Sequence, residues 1–352
     1  MAELLPPGST IGILGGGQLG RMLAMAAAKL GYHTHIFAPE ANAPAAQVAS
    51  AHTQAAYEDH AALEAFASTV DVVTYEFENI PLETARKLGT LVPVRPGTKA
   101  LEVSQDRLAE KTFLQNLGLA TAPFADVVGA DGLAVGLETI GTPSILKTRR
   151  FGYDGKGQFV FTPTDPAPDL GRVLDQPCIL EGFVDFSCEV SVIAARGLSG
   201  DVVAYDPGEN VHEAGILSTT SLPARIPSRL ATDAVLLAGK ILNALDYVGV
   251  LGVELFVTPQ TLVVNEIAPR VHNSGHWTEA ACAVSQFEQH IRAITGLPLG
   301  DGSRHSDAIM ENLIGSDVER WRDGSPGLHL YGKGEARAGR KMGHITRLTP
   351  KS

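Results

Sequence analysis

Two acidic side chains stand in the middle of strands that give them no obvious partner. Val250 to Val257 and Leu262 to Ile267 are almost wholly apolar and read as a β-hairpin, yet the first carries Glu254 and the second Asn265-Glu266. A carboxylate stripped of water among Val, Leu and Phe carries a heavy desolvation cost unless a cation meets it. If Pro259, Gln260 and Thr261 form a three-residue loop, Glu254 lies opposite Glu266, whereas a two-residue loop puts Asn265 there. Either register gathers three oxygen-bearing side chains, the hard-ligand set that Mg²⁺ shares with nucleotide phosphates. The plainer alternative is a pair of acids on an exposed sheet face.

The residues after the hairpin, Ala268-Pro269-Arg270-Val271-His272-Asn273-Ser274-Gly275-His276-Trp277-Thr278, crowd a guanidinium, an imidazole and an amide beside those acids, which suits an anion. A capped helix start would explain Asn273 and Ser274 but not Arg270 with His272. Upstream, Lys147 closes an apolar strand and leads into Thr148-Arg149-Arg150-Phe151-Gly152-Tyr153-Asp154-Gly155-Lys156-Gly157-Gln158. The three glycines of that loop let backbone amides approach a polyphosphate, and the lysine adds point charge; a solvated hairpin with a basic tip is the other reading. Near the start, Gly15-Gly16-Gly17-Gln18-Leu19-Gly20 fits GxGxxG between a strand, Thr10 to Leu14, and an Ala- and Met-rich helix, Arg21 to Leu30. As a dinucleotide fingerprint it wants an acid about 20 residues on, and Glu40 lies near that distance but behind Ala38-Pro39. Close strand–helix packing alone would also call for these glycines.

The balance of 39 acidic against 28 basic side chains, a formal charge of −11 over 352 residues, argues against nucleic acid and anionic membrane surfaces as partners. With 44% hydrophobic and 19% charged residues the chain has the profile of a packed protein. Cys178, Cys188 and Cys282 form no CxxC pair, which speaks against a disulfide framework or a cysteine zinc site and for a reducing cytosol. No secretory leader or membrane span is expected.

Further strands at His33 to Phe37 and Val70 to Tyr75, around a helix at Asp59 to Ser68, imply a parallel sheet in an α/β domain over residues 1–100. The Pro-rich stretch Val92 to Gly97 marks its end, before a helix expected over Ser104 to Leu117. Strands Ser144 to Lys147, Gln158 to Phe161, Cys178 to Glu181 and Glu189 to Ala194 suggest one small antiparallel unit, and a long helix, Ala231 to Leu245, precedes the hairpin. From about residue 297 the chain turns basic: Tyr331 to Ser352 holds Lys333, Arg337, Arg340, Lys341, Arg347 and Lys351 against Glu335 alone.

Together these segments resemble the ATP-grasp superfamily and, within it, the 5-(carboxyamino)imidazole ribonucleotide synthetase family of purine biosynthesis. The resemblance spans Gly15 to Met22, Thr74-Tyr-Glu-Phe-Glu-Asn-Ile-Pro81, Lys147 with its glycine loop, Glu181-Gly-Phe-Val184, Asn265 to Thr278 and Gly339-Arg-Lys-Met-Gly-His344, and the run after Asn265 is the most specific. It implies an ATP-grasp fold of α/β and α+β type: a parallel-sheet domain over 1–100, an ATP-grasp domain over 101–296 with a glycine-loop lid at about 125–188, and a small basic C-terminal domain over 297–352. By the same resemblance ATP meets Arg107, Lys147, Gly152, Tyr153, Asp154, Gly155, Lys156, Gly157, Gln158, Glu181, Gly182, Phe183, Val184, Glu189, His212, Asn265 and Glu266, with the backbone of 181–184 at the adenine edge. Glu254 and Glu266 would hold Mg²⁺, and Arg270, His272 and Asn273 would act on bicarbonate, His272 as a proton acceptor with a pKa near neutrality. Aminoimidazole ribonucleotide would lie against Gln18, Leu19, Glu76 and Tyr153, its phosphate gripped by Lys333 and Arg340. The implied reaction forms carboxyphosphate from ATP and bicarbonate and carboxylates the ribonucleotide, in a cytoplasmic homodimer. The alternatives are another ATP-grasp ligase of a purine-pathway ribonucleotide, a nicotinamide-dependent oxidoreductase, or an inactive ATP-grasp subunit. One departure from the family is Phe151, where many relatives place glycine.

Overall fold

Short apolar strands alternate with helices from the start of the chain, and this alternation builds the first layer of a computed structural model that describes residues 4–152, 157–166 and 168–352. β1 (Thr10–Leu14), α1 (Gln18–Lys29), β2 (His33–Ala38), β3 (Ala51–Gln54), α2 (His60–Ala67) and β4 (Val72–Tyr75) form a four-stranded parallel sheet in the order β3-β2-β1-β4. β3, too polar to read as a strand, is its edge. α3 (Leu82–Gly89) then leads to the next layer.

The helix expected over 104–117 is α5 (Arg107–Asn116), and a short helix that was not expected, α4 (Thr98–Ser104), precedes it. Asp106 makes the break: its carboxylate accepts from the amides of Leu108 at 3.0 Å and Ala109 at 3.3 Å, an N-cap that restarts the helix. β5 (Phe124–Val127), α6 (Gly129–Ile140), β6 (Ser144–Thr148), β7 (Gln158–Phe161) and β8 (Cys178–Gly182) form an antiparallel sheet in the order β5-β8-β6-β7. The strand expected over 189–194 does not join it. That segment is β9 (Cys188–Arg196), which enters a second, nine-stranded sheet with β10 (Val202–Ala204), β11 (Gly208–Glu213) and β12 (Ile216–Leu222). Alternation within β9 is weak because it is covered on both faces, so its sequence gives no sign of which sheet it joins.

α7 (Ser228–Ala244) packs on that sheet, and β13 (Gly249–Val257) and β14 (Leu262–Ala268) are the expected hairpin. After α8 (Thr278–Ala281) and α9 (Gln286–Thr295), β15 (Ser306–Ile314), β16 (Leu328–Leu330) and β17 (Lys341–Pro350) complete the order β14-β13-β9-β11-β12-β15-β17-β16, with β10 beside β9. The C-terminal strands therefore extend the large sheet, β15 pairing with β12 from Thr219↔Glu311 to Leu222↔Ala308. One apolar cluster ties the layers together: Ile11 of β1 and Met22 and Leu23 of α1 pack in the same core as Trp277, Phe287, Ile291 and Tyr331. Among the described residues no helix is long and apolar enough to cross a membrane.

Candidate active site

The hairpin register resolves the two alternatives by using both. Next to the turn, Thr258 and Thr261 flank a two-residue Pro259-Gln260 loop, and Leu255 pairs with Val264, the register that would put Asn265 opposite Glu254. A β-bulge at Asn265 then advances the pairing by one, and Glu254 faces Glu266. α5 lies against this edge strand and fixes the bulge. The Lys111 ammonium, 1% exposed, donates to the Asn265 carbonyl at 2.7 Å, the Ile267 amide donates to Glu110 at 2.7 Å, and Arg107 donates to Glu266 at 3.0 Å. Arg107, Glu110 and Lys111 share one helix face by their i, i+3, i+4 spacing. Glu110 and Lys111 escaped the sequence reading; three charges on one face of a helix were the available signal, but only the fold shows that they meet a strand edge.

Burial and then Glu266 push the Glu254 carboxyl up to about 7, while Arg107 outweighs burial and holds Glu266 low. Two facing half-buried acids, one of them pushed toward its neutral form by desolvation and by the other, fit a divalent cation between them. They line a cavity of about 700 Å³ between the large sheet and the β5–β8 sheet.

Lys147, on β6, enters the same cavity and donates to Glu181 at 2.9 Å, with Lys111 3.6 Å from the same carboxylate oxygen. Also lining it are Arg107, Gly152, Gln158, Glu189, His212, Asn265 and Glu266. His212 faces Glu189 at 2.8 Å, and although burial opposes it, that partner raises the imidazole pKa. Phe186 and Phe256 stack 4.5 Å apart and, with Ile145, give the cavity an apolar slot that the sequence did not reveal. Gly157, Glu181, Gly182, Phe183 and Val184 do not line it; the amides of Gly182 and Phe183 donate to the carbonyls of Pro123 at 2.8 Å and Pro143 at 3.1 Å. Tyr153, Asp154, Gly155 and Lys156 lie outside the described residues. Phe151 takes φ +60°, a left-handed conformation that costs a side-chain-bearing residue about 1–2 kcal/mol and would suit the glycine expected there.

Arg270 is held by Glu78, a residue singled out only as part of a motif, through its Nε and through Nη2 at 3.1 Å. His272 sits in a directed chain. Ser191 donates to the Ser274 hydroxyl at 2.7 Å, and both that hydroxyl, at 2.8 Å, and the Ser274 amide, at 3.4 Å, point at His272 Nδ1. A backbone N–H can only donate, so Nδ1 accepts and the proton is on Nε2, 3.3 Å from Glu254. Burial, then the Arg270 charge, push the His272 pKa down to about 3, which corrects the expectation of a value near neutrality. Asn273 lines the cavity, but its amide is exchanged with Asn312 of β15 in reciprocal bonds of 3.0 and 2.8 Å.

Burial would raise the Glu78 pKa, but Arg270 outweighs it and holds the carboxyl at about 2, below its ordinary 4.5. A depressed carboxylate contributes stability in full above its unfolded value and loses it as pH falls through the folded one, on the order of 3 kcal/mol here. Urea midpoints between pH 4.5 and 2 should therefore fall more steeply for the native chain than for Glu78→Gln; identical slopes would remove this pair from the acid response.

At the other end of the cavity, Glu76 accepts from the amides of Gly17 and, at 2.7 Å, Gly20. Its carboxylate thus occupies the α1 N-terminus where a pyrophosphate would bind, and a Cβ on Gly15 would fall 2.4 Å from Glu76 Cγ. The glycines make room for an internal acid, which disfavours the dinucleotide reading. Gln18, Leu19 and Glu76 line the cavity, as does Lys341; Lys333 and Arg340 do not, Lys333 donating to the Lys341 carbonyl at 2.7 Å and Arg340 to that of Glu335 at 2.8 Å.

Comparison with known proteins agrees with this arrangement. The ribonucleotide synthetase preATP-grasp domain matches residues 9–105, the ATP-grasp domain 112–287, and the phosphoribosylaminoimidazole carboxylase C-terminal domain 308–352. The N5-carboxyaminoimidazole ribonucleotide synthase of Brucella melitensis is 56% identical over 99% of this chain and 98% of its own, and that of Bacillus subtilis 40% over 98% and 92%. The ADP complex of an N5-carboxyaminoimidazole ribonucleotide synthetase superposes with a TM-score of 0.95 at 42% identity, over 99% of this chain and 94% of its own. The Aspergillus clavatus synthase in complex with ADP and 5-aminoimidazole ribonucleotide gives 0.90 at 33%, over 98% and 95%. The expected fold, an ATP-grasp with an N-terminal parallel-sheet domain and a C-terminal domain, is the observed one, and the chain belongs to the N5-carboxyaminoimidazole ribonucleotide synthase family of ATP-dependent ligases.

Proposed function

We propose that the chain uses ATP to carboxylate 5-aminoimidazole ribonucleotide with bicarbonate, giving 5-(carboxyamino)imidazole ribonucleotide, ADP and phosphate through carboxyphosphate. The observation that carries this reading is the facing pair Glu254 and Glu266 in one cavity with Lys147, Arg270 and the ribonucleotide-side turn. ATP lies with its adenine in the slot of Ile145, Phe186 and Phe256 and its phosphates toward Lys147 and Arg107, beside Gly152 and Gln158. Glu181, itself paired with Lys111, keeps the Lys147 ammonium from swinging away. Glu254 and Glu266 hold Mg²⁺, which supplies charge neutralisation on the phosphate oxygens.

Bicarbonate is oriented beside Arg270, whose pairing with Glu78 aims the guanidinium without spending its full positive field. An oxygen of bicarbonate bonds to the γ-phosphorus as the bond to ADP breaks. The amine nitrogen of the ribonucleotide then bonds to the carboxyl carbon, and the C–O bond to phosphate breaks. With a pKa of about 3, His272 is a poor acceptor for the amine proton; the departing phosphate, which leaves as a strongly basic trianion, takes it. The role of His272 is to orient Glu254 through Nε2–H, and that of Asn273 to hold the 270–278 turn against β15. We place the protein in the cytoplasm, as a homodimer, which sedimentation in solution checks.

Phosphate release from ATP that rises only when both bicarbonate and aminoimidazole ribonucleotide are present would support this assignment; release indifferent to the ribonucleotide, or greater with another ribonucleotide of the pathway, would overturn it. The phosphate of the ribonucleotide is assigned to Lys333, Arg340 and the neighbouring Lys341. Charge-assisted contacts are typically worth about 1.5–3 kcal/mol, so Arg340→Ala should raise the KM for the ribonucleotide roughly ten- to a hundredfold and leave that for ATP nearly unchanged. Steady-state kinetics showing the reverse pattern would move the basic segment to the triphosphate.

A further inference from the structure

Outside the cavity, three metal-ligating groups from separate elements meet at the seam between α8 and the C-terminal strands. Glu279 comes from α8, His329 from β16 and His344 from β17. One Glu279 oxygen lies 3.0 Å from His329 Nδ1 and 3.9 Å from His344 Nε2, and the three ligand atoms fall within 4.8 Å of one another. We propose that these three side chains form a binding site for a divalent transition-metal ion, zinc foremost, that ties α8 to the C-terminal strands.

Two imidazole nitrogens and a carboxylate oxygen are a borderline donor set, suited to zinc better than to magnesium or calcium. His344 is fixed from behind, its Nδ1 3.0 Å from the Tyr331 hydroxyl, the orienting partner that a ligating histidine requires. Glu279 is exposed and His329 half-buried, which gives an ion a way in and leaves a fourth position for water. A simple Glu279–His329 ion pair would account for one contact. It would not account for a buried His344 whose Nε2 faces the same oxygen. None of the three proposed ligands lines the ATP cavity.

Calorimetric titration of the chelator-treated full chain with zinc chloride tests the site. One equivalent should bind in the native chain and in Glu254→Gln, which separates this site from the cavity. Glu279→Gln, at the surface and so no threat to folding, and His329→Asn, whose folding the same melting curve checks, should each weaken that binding at least tenfold, and Tyr331→Phe by roughly tenfold or more. The same ion should raise the melting temperature of the native chain and not that of Glu279→Gln. No binding by the native chain, or binding that Glu279→Gln and His329→Asn leave intact, overturns the proposal.

Discussion

Glu266→Gln is expected to lower kcat by about a thousandfold or more and to leave a folded, cooperatively unfolding protein. Glutamine keeps the shape and one acceptor oxygen, so Arg107, 3.0 Å from the carboxylate, still finds a hydrogen-bond partner. On the proposed reading, what is lost is the charge that, with Glu254, would hold Mg²⁺ where phosphoryl transfer develops negative charge, an effect worth several kcal/mol; about 4 kcal/mol corresponds to a thousandfold. The substitution also removes part of what pushes the Glu254 carboxyl up to about 7, so Glu254 should ionise more readily in the variant. That gain does not restore the second ligand. Phosphate-release assays over a range of Mg²⁺ check the outcome, and near-native turnover at ordinary Mg²⁺ would mean that the metal is held elsewhere.

Lys111→Met should cost about 3 kcal/mol or more of stability. Methionine fills a similar volume but strands two buried acceptors, the bulge carbonyl of Asn265 and the carboxylate of Glu181. Breaking a buried charge pair from one side commonly costs about 3–5 kcal/mol. The lower end applies because Lys147 still reaches Glu181 at 2.9 Å. A looser bulge should also weaken the opposition of Glu254 and Glu266, so Mg²⁺-dependent ADP binding should weaken in what folded protein remains. Urea denaturation and calorimetry read the two effects separately; a variant as stable as the native chain would show that the bulge holds its geometry without α5.

How much of this was legible depended on whether a residue's partner was near it in sequence. The hairpin, the parallel N-terminal sheet and α7 follow from local periodicity, and Glu254, Glu266, Lys147 and Arg270 were visible because charge amid apolar or glycine-rich sequence is costly enough to need a reason. The bulge at Asn265 was not visible, since it is imposed by Lys111 from 154 positions upstream. Glu78 and the Ser191–Ser274–His272 chain were hidden in the same way: a serine inside β9 gives no sign that it sets the tautomer of a histidine two strands away. The start of α5 at Arg107 could have been read, because Asp106 is a strong N-cap just ahead of the helix it starts. The low pKa of His272 could not, as it comes from burial and from Arg270 folded over it.

The continuity of the large sheet across β12 and β15 bears on how the chain can be shortened or recombined. A protein ended near residue 300 would leave β12 with an open edge of unpaired amides and carbonyls from Thr219 to Leu222, a template for sheet addition between molecules. It would also leave Asn273 without Asn312, and so free the turn that carries Arg270 and His272. The last fifty residues are therefore no exchangeable module: a graft from a relative must reproduce the β12–β15 register as well as the basic side chains, and a shortened chain should precipitate before its loss of ribonucleotide binding could be measured.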